Sequence, residues 1–146
     1  MSRAEPNPVA KRPSRDNPRL AVGIDVVAID DVQEALARVG DRYLSRVFTD
    51  HEIACSSGAG KARARHLAAR FAAKEATMKV LRPNDRLPTW RSIEVRQDES
   101  GRCTLRLSGH AAELARRASL SDFALSFSQE GNLAAAVVFA SVRSEP

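Results

Sequence analysis

The apolar and polar positions divide this chain into short blocks of differing period. Leu20–Val27 (LAVGIDVV) is an apolar, β-branched run interrupted by Asp25, the pattern of a buried strand. Asp30 and Asp31 stand as capping residues ahead of a helix over 31–39, which Gly40 ends. Short helical turns are expected over Tyr43–Val47 and again from Thr49, where T-D-H-E has the spacing of a capping box. After a loop at 56–60 (SSGAG), a long helix runs from Lys61 to Leu81 and stops at Pro83. Arg91–Gln97 alternates like a half-buried strand and turns through D-E-S-G into Cys103–Leu107, a hairpin. Gly109–Ser119 reads as an alanine-rich helix. Phe123–Ser128 and Leu133–Ser141 read as two further strands, joined across Glu130-Gly131-Asn132. Strands and helices segregate rather than alternate, and no repeat is present. The expected fold class is α+β, an antiparallel sheet packed against one long helix.

Composition changes this picture mainly at the N-terminus. Residues 1–18 hold four prolines and scattered charge without periodicity, so they read as a disordered tail ahead of a single domain over 19–142. The formal charge is +5, but residues 1–19 carry five cations against two carboxylates, leaving the body at only +2. That balance suits a protein handling phosphates or an acidic partner and is too weak to argue for duplex binding. No run approaches the ~18 apolar residues of a membrane span. The N-terminus lacks the apolar core of a signal peptide, so the expected compartment is the cytoplasm. Cys55 and Cys103 lack metal spacing and read as reduced, structural thiols. His51, His66 and His110 lie on separate elements, which argues against zinc.

The candidate chemistry sits in the long helix. The chain uses 19 arginines but only 4 lysines, and two of the four lie in RFAAKEATMKVL, residues 70–81. On a helical wheel Leu67, Phe71, Met78 and Leu81 form one apolar stripe, the face expected to meet the sheet. Lys74 falls inside that stripe, Glu75 at its edge, and Lys79 beside Glu75 one turn on. Charges placed where burial is partial are costly unless partnered. Two readings follow. One is a favourable Glu75–Lys79 i, i+4 ion pair with a lysine stem lying along the core. The other is a half-buried carboxylate acting as a hard-metal ligand, with ammonium groups for phosphates. Asp25 favours the second, because it is another carboxylate in an apolar frame. Asp25, Glu75, the lysines and Arg70 are the parts needed to hold Mg²⁺ against a pyrophosphate. No P-loop or dinucleotide-binding glycine motif is present.

These segments, GIDVVAID at 23–30, RVFTDHE at 46–52 and HLAARFAAKEATMKVL at 66–81, resemble the holo-[acyl-carrier-protein] synthases. The resemblance continues through W-x-S-I-E-V at 90–95, L-x-L-S-G-x-A at 105–111 and LSFSQEGNLAAAVV at 125–138, and covers about 20–140. It implies Mg²⁺-dependent transfer of 4′-phosphopantetheine from coenzyme A to a serine of an apo acyl carrier protein, releasing adenosine 3′,5′-bisphosphate. It implies Asp25 and Glu75 as metal ligands, Lys79 on the transferred phosphate, Arg70 on the nucleotide's 3′-phosphate, and a homotrimer with interfacial active sites. Glu75 is the expected general base, with Lys74 either a third catalytic group or a structural partner. Ser128 and Gln129 are expected at coenzyme A. Gln129 stands where the family commonly has histidine, and an amide cannot carry that positive charge. Asp31 stands where many relatives have arginine, which moves the expected carrier contact to Arg42 and Arg46. Two further readings remain open from the sequence: a diverged, non-catalytic binder of coenzyme A or carrier protein, and a basic nucleic-acid-binding module.

Overall fold

The computed structural model describes residues 19–56 and 58–144, so the tail expected over 1–18 lies outside the described residues. Strand β1 (Arg19–Ala28) alternates: Ala21, Gly23, Asp25 and Val27 turn inward, while Leu20, Val22, Ile24 and Val26 turn out. Helices α1 (Ile29–Val39), α2 (Asp41–Val47) and α3 (Asp50–Cys55) follow, then the long α4 (Gly60–Leu81). A 3-10 turn (Trp90–Ser92) leads into the hairpin β2 (Ile93–Gln97) and β3 (Cys103–Leu107). Helix α5 (Gly109–Arg117) and the long hairpin β4 (Leu120–Glu130) and β5 (Leu133–Val142) complete the fold.

The α+β expectation holds, with the strands divided between two antiparallel sheets. One runs β1-β5-β4; the other is the β2–β3 hairpin alone. β4 is longer at both ends than the Phe123–Ser128 expected, and a bulge between Ser121 and Ala124, with Asp122 at φ 53°, interrupts its start. Arg91 and Ser92 belong to the 3-10 turn rather than to β2, and α5 ends at Arg117.

Helix α4 differs most from expectation. Instead of meeting the sheet along one apolar stripe, it is buried around most of its circumference, and Phe71 and Met78 of that stripe are only partly covered. Ala64, Ala68, Ala72 and Ala76 belong to the main core with Val27, Phe48 and Val138, whereas Leu81 joins a second cluster with Ile93, Ala111 and Ala115. Alanine scores as weakly apolar, yet it lets neighbouring backbones approach closely, so a helix rich in it can sit at the centre of a fold.

The caps also depart from the sequence reading. Thr49 and Glu52 form the expected capping box on α3. Helix α1, however, starts at Ile29 and takes no cap from Asp30 or Asp31. The β4–β5 turn caps it instead: the Asn132 carbonyl accepts from the Ile29 amide at 2.8 Å, and Asn132 Oδ1 accepts from the Asp30 amide at 2.9 Å. Both cysteines are free, but Cys55 is exposed, which removes it from the structural role expected.

Candidate active site: a carboxylate pair beside Lys79

The site begins with a close approach of two backbones. Gly23 faces α4 so tightly that a Cβ there would lie 2.1 Å from the Ala76 carbonyl oxygen. Two residues on, Asp25 points at the same helix, beside Glu75 and Lys79. Lys79 Nζ donates to Asp25 Oδ1 at 2.9 Å and to the Ile24 carbonyl at 2.8 Å. The Glu75–Lys79 pair suggested by spacing does not form, because the strand offers Lys79 a carboxylate and a carbonyl together. Two of the three ammonium protons are thus used, and the Lys79 side chain stays 56% exposed while that of Asp25 is 14% exposed.

The other carboxylate oxygen of Asp25 is buried and receives no donor from the described residues. Glu75, one turn before Lys79, lies beside it. Two acceptors face each other, and only a proton or a cation satisfies both. Burial, followed by the hydrogen bond and charge of Asp25, pushes the Glu75 carboxyl up to about 7 against the pull of Lys79. Burial also pushes Asp25 up, but Glu75, Lys79 and the Val26 amide outweigh it and hold Asp25 below the ordinary aspartate value. The donor set suits a hard cation: two carboxylates, with room for water and substrate oxygens.

A cleft of about 330 Å³ opens from Glu75 between α1, α2 and α4, walled by Val27, Val32, Ala35, Tyr43 and Phe71, with Asp31 also lining it. A larger cavity of about 410 Å³, lined by Arg86, Arg91 and His110, shares no residue with it and holds no carboxylate pair.

The remaining expected residues lie elsewhere in the chain. Lys74, expected among the catalytic groups, is fully buried against Glu52 at 2.6 Å. Its ammonium also donates to the Trp90 carbonyl at 3.0 Å and to the Ile93 carbonyl. All three protons are committed, so the geometry assigns Lys74 to the scaffold. Glu52 is equally engaged, since its oxygens also accept from the Thr49 and Val95 amides. Arg70 is buried on another side of α4, donating to the His66 carbonyl at 3.0 Å and to Gln97 Oε1 at 3.4 Å, with its Nε unpartnered among the described residues. Gln129 donates to the Arg65 carbonyl at 2.7 Å. Arg65 stands fourteen residues before Lys79, about 21 Å along the helix. Ser128 is exposed on the opposite face of β4. Arg42 and Arg46 are exposed one turn apart on α2. Within one chain, then, Asp25, Glu75 and Lys79 come together, while Arg70, Ser128 and Gln129 do not join them.

Three residues escaped the sequence reading. Glu52 was visible only as a capping residue, and its link to Lys74 spans 22 positions. Gly23 did carry a signal, because a glycine inside a strand marks close backbone approach. Tyr43, the only tyrosine, lay in a segment read for its arginines.

Residues 21–138 match the model of the 4′-phosphopantetheinyl transferase superfamily. A holo-[acyl-carrier-protein] synthase of Paramagnetospirillum magneticum is 43% identical over 124 residues, covering 82% of this chain and 93% of that protein. The ACPS–CoA complex of Chronobacterium ammoniagenes superposes with a TM-score of 0.76 at 32% identity, covering 86% of this chain and 99% of the other. The acyl carrier protein synthase of Mycobacterium tuberculosis gives a TM-score of 0.66 at 36% identity, covering 84% and 97%. Fold and sequence agree: the chain belongs to the 4′-phosphopantetheinyl transferase superfamily.

Proposed function

We propose that this chain is a holo-[acyl-carrier-protein] synthase, with residues 19–142 as its single transferase domain. It moves 4′-phosphopantetheine from coenzyme A to a serine of an apo acyl carrier protein and releases adenosine 3′,5′-bisphosphate. The observation that carries the reading is the buried oxygen of Asp25, without a donor among the described residues, facing Glu75 beside a half-exposed Lys79. The superfamily match and the holo-[acyl-carrier-protein] synthase relatives support the same substrates.

Asp25 and Glu75 would hold Mg²⁺, which when bound supplies positive charge to the pyrophosphate. Lys79 directs its third ammonium proton at the phosphoryl group being transferred, in a position already set by Asp25 and Ile24. The serine oxygen forms a bond to the phosphorus that carries pantetheine, and the bond from that phosphorus to the bridging oxygen breaks. The electron pair leaves with adenosine 3′,5′-bisphosphate, and the serine proton passes to Glu75, the carboxylate beside the reacting phosphate. Lys74 supports this from behind by holding α4 against α3 and β2.

An apolar patch on the outer side of β1 and β5 supports a homotrimer. Leu20, Val22, Ile24 and Val26 are 54–63% exposed there, and Leu133 and Phe139 extend the patch onto β5. In such an assembly Arg70, Ser128 and Gln129 serve a neighbour's nucleotide, and Arg42 and Arg46 meet the acidic carrier. No helix among the described residues is long and apolar enough to cross a membrane, consistent with a cytoplasmic enzyme. The test is mass spectrometry of apo carrier proteins incubated with the chain, coenzyme A and Mg²⁺. A mass gain of one phosphopantetheine arm on at least one carrier is expected; coenzyme A binding without transfer to any carrier overturns the reading.

A further inference from the structure

Helix α5 carries a histidine that the transfer chemistry leaves without a role. His110 stands in its first turn, with its side chain only 13% exposed. Its Nε2 lies 2.8 Å from the Arg86 carbonyl, a group that only accepts, so Nε2 carries a proton and donates it. Its Nδ1 lies 3.4 Å from Glu113, which also pairs with Arg117. Arg86 sits midway along the segment 82–89 that joins α4 to the 3-10 turn, and two open cavities meet at this contact. One, of about 410 Å³, runs along Leu87 and Thr89; the other, of about 360 Å³, runs along Asn84 and Asp85; Arg86 and His110 line both. Among the described residues, no other hydrogen bond ties 83–88 to the body of the fold.

A segment held at one point matters because of where it begins. Lys79 lies in the last turn of α4, and that turn is thinly bonded. Pro83 has no amide to offer the Lys79 carbonyl. The last helical bond is therefore the one from the Arg82 amide to the Met78 carbonyl, at 3.0 Å. Arg82 itself stands at φ 48° and ψ 59°, a left-handed conformation that strains an arginine and not a glycine. Helix α5 grips both sides of this turn. Leu81, just before it, packs with Ala111 and Ala115, and Arg86, just after it, is held by His110. We propose, resting on the transferase reading, that this clasp keeps Arg82 in its left-handed turn and the last turn of α4 wound, so that His110 is a positioning residue for Lys79. Without the bond the segment relaxes and Arg82 leaves its strained conformation. The loosened end of α4 then carries Lys79 away from Asp25 and from the phosphoryl group.

Hydrogen–deuterium exchange, read alongside transfer kinetics, tests the clasp. His110→Ala should speed exchange of the amides over 79–87 by roughly threefold to tenfold, as loss of one neutral hydrogen bond does, while the β1 and β5 amides exchange as in the unmodified chain. The same variant should lower kcat by a similar factor and leave the KM for coenzyme A unchanged. His110→Gln, whose side-chain amide can still donate to the Arg86 carbonyl, should recover both exchange and kcat. Arg82→Gly in the His110→Ala background should recover kcat, because glycine takes the left-handed turn unaided. Unchanged exchange over 79–87 in His110→Ala overturns the assignment, and so does faster exchange there with full kcat. Failure of either rescue overturns it as well. Faster exchange in β1 and β5 too marks a general loss of stability and counts against the clasp in the same way. If the unmodified chain transfers to no carrier, the transferase reading fails, and the exchange of His110→Ala and His110→Gln still decides whether His110 holds the segment.

Discussion

At the scale of single residues, the site is a problem of two carboxyls and one ammonium. Lys79 neutralises one oxygen of Asp25 and leaves the other facing Glu75, so the metal-free pair holds a proton that an ordinary pair of exposed carboxylates would have lost. The pH dependence follows from the direction of the shift. Glu75 titrates near 7 when folded, against an ordinary 4.5, so the folded chain binds more protons than the unfolded chain between those values. Its contribution to stability is fully present below 4.5 and is lost as pH rises through 7. Asp25 is shifted the other way from 3.8, so its contribution is lost only as pH falls below that value, outside the same window. In metal-free buffer, thermal unfolding should therefore lose stability from pH 4.5 to 7.5 relative to Glu75→Gln, whose neutral amide does not titrate. Added Mg²⁺ should raise the melting temperature of the unmodified chain more at pH 7.5 than at pH 5. A difference between the two chains that does not vary with pH excludes the shared proton.

At the scale of elements, what matters is how closely α4 lies against its neighbours. Two devices set this. One is Gly23, where any side chain meets the Ala76 carbonyl, a backbone atom that cannot turn aside. Gly23→Ala should separate β1 from α4, destabilise the fold by about 1–3 kcal/mol as overpacking does, and lower kcat by roughly 100-fold, because Asp25 moves with the strand. Activity assays at a temperature where the variant remains folded check this; full kcat in a folded variant rules out the close approach as the cause. The other device is the buried Lys74–Glu52 pair, which ties α4 to α3 and, through Trp90, Ile93 and Val95, to the β2 hairpin. Burial pulls the ammonium's pKa down and Glu52 pulls it up, so charge on one partner needs the other. Lys74→Met leaves Glu52 buried without its counter-charge and should cost about 3–5 kcal/mol in chemical denaturation. Activity per folded molecule should persist, which a catalytic lysine would not allow.

These devices also explain what could be read from the sequence. Strand β1, helix α4 and the two hairpins were legible because local periodicity and turn residues mark them. Asp25, Glu75 and Lys79 were legible because each is a charge in an apolar frame, a local anomaly whatever the tertiary fold. Their connections were not. The choice of Asp25 over Glu75 as the partner of Lys79, the reach of Glu52 to Lys74 and the capping of α1 by Asn132 all join residues distant in sequence. Asn132 lies 102 positions from the amide of Asp30 that it caps. The burial of α4 around most of its circumference was hidden because alanine gives little amphipathic signal even where it packs backbone against backbone.

At the scale of the whole molecule, two features call for each other. The outer face of the sheet is apolar along β1 and at Leu133 and Phe139 of β5, on the side away from α4, and Arg70, Ser128 and Gln129 do not join Asp25 within one chain. A monomer explains neither, since it leaves the patch in water and the proposed nucleotide partners apart. The proposed homotrimer would cover the patch and bring one subunit's Ser128 and Gln129 toward a neighbour's Asp25. Val22→Asp tests both at once: it places a carboxylate in the centre of the patch on the face opposite Gly23, away from Asp25 and Glu75. Sedimentation should find this variant as a folded monomer and the unmodified chain as a trimer. Transfer to carrier protein should fall by at least tenfold in the variant, because the proposed nucleotide site would lack the neighbour's residues, although Asp25, Glu75 and Lys79 are intact. The same logic makes the specific activity of the unmodified chain fall on dilution below its assembly threshold. A monomeric Val22→Asp variant with full activity means that one chain completes its own site, and the residues on the outer face of β4 then serve something other than coenzyme A.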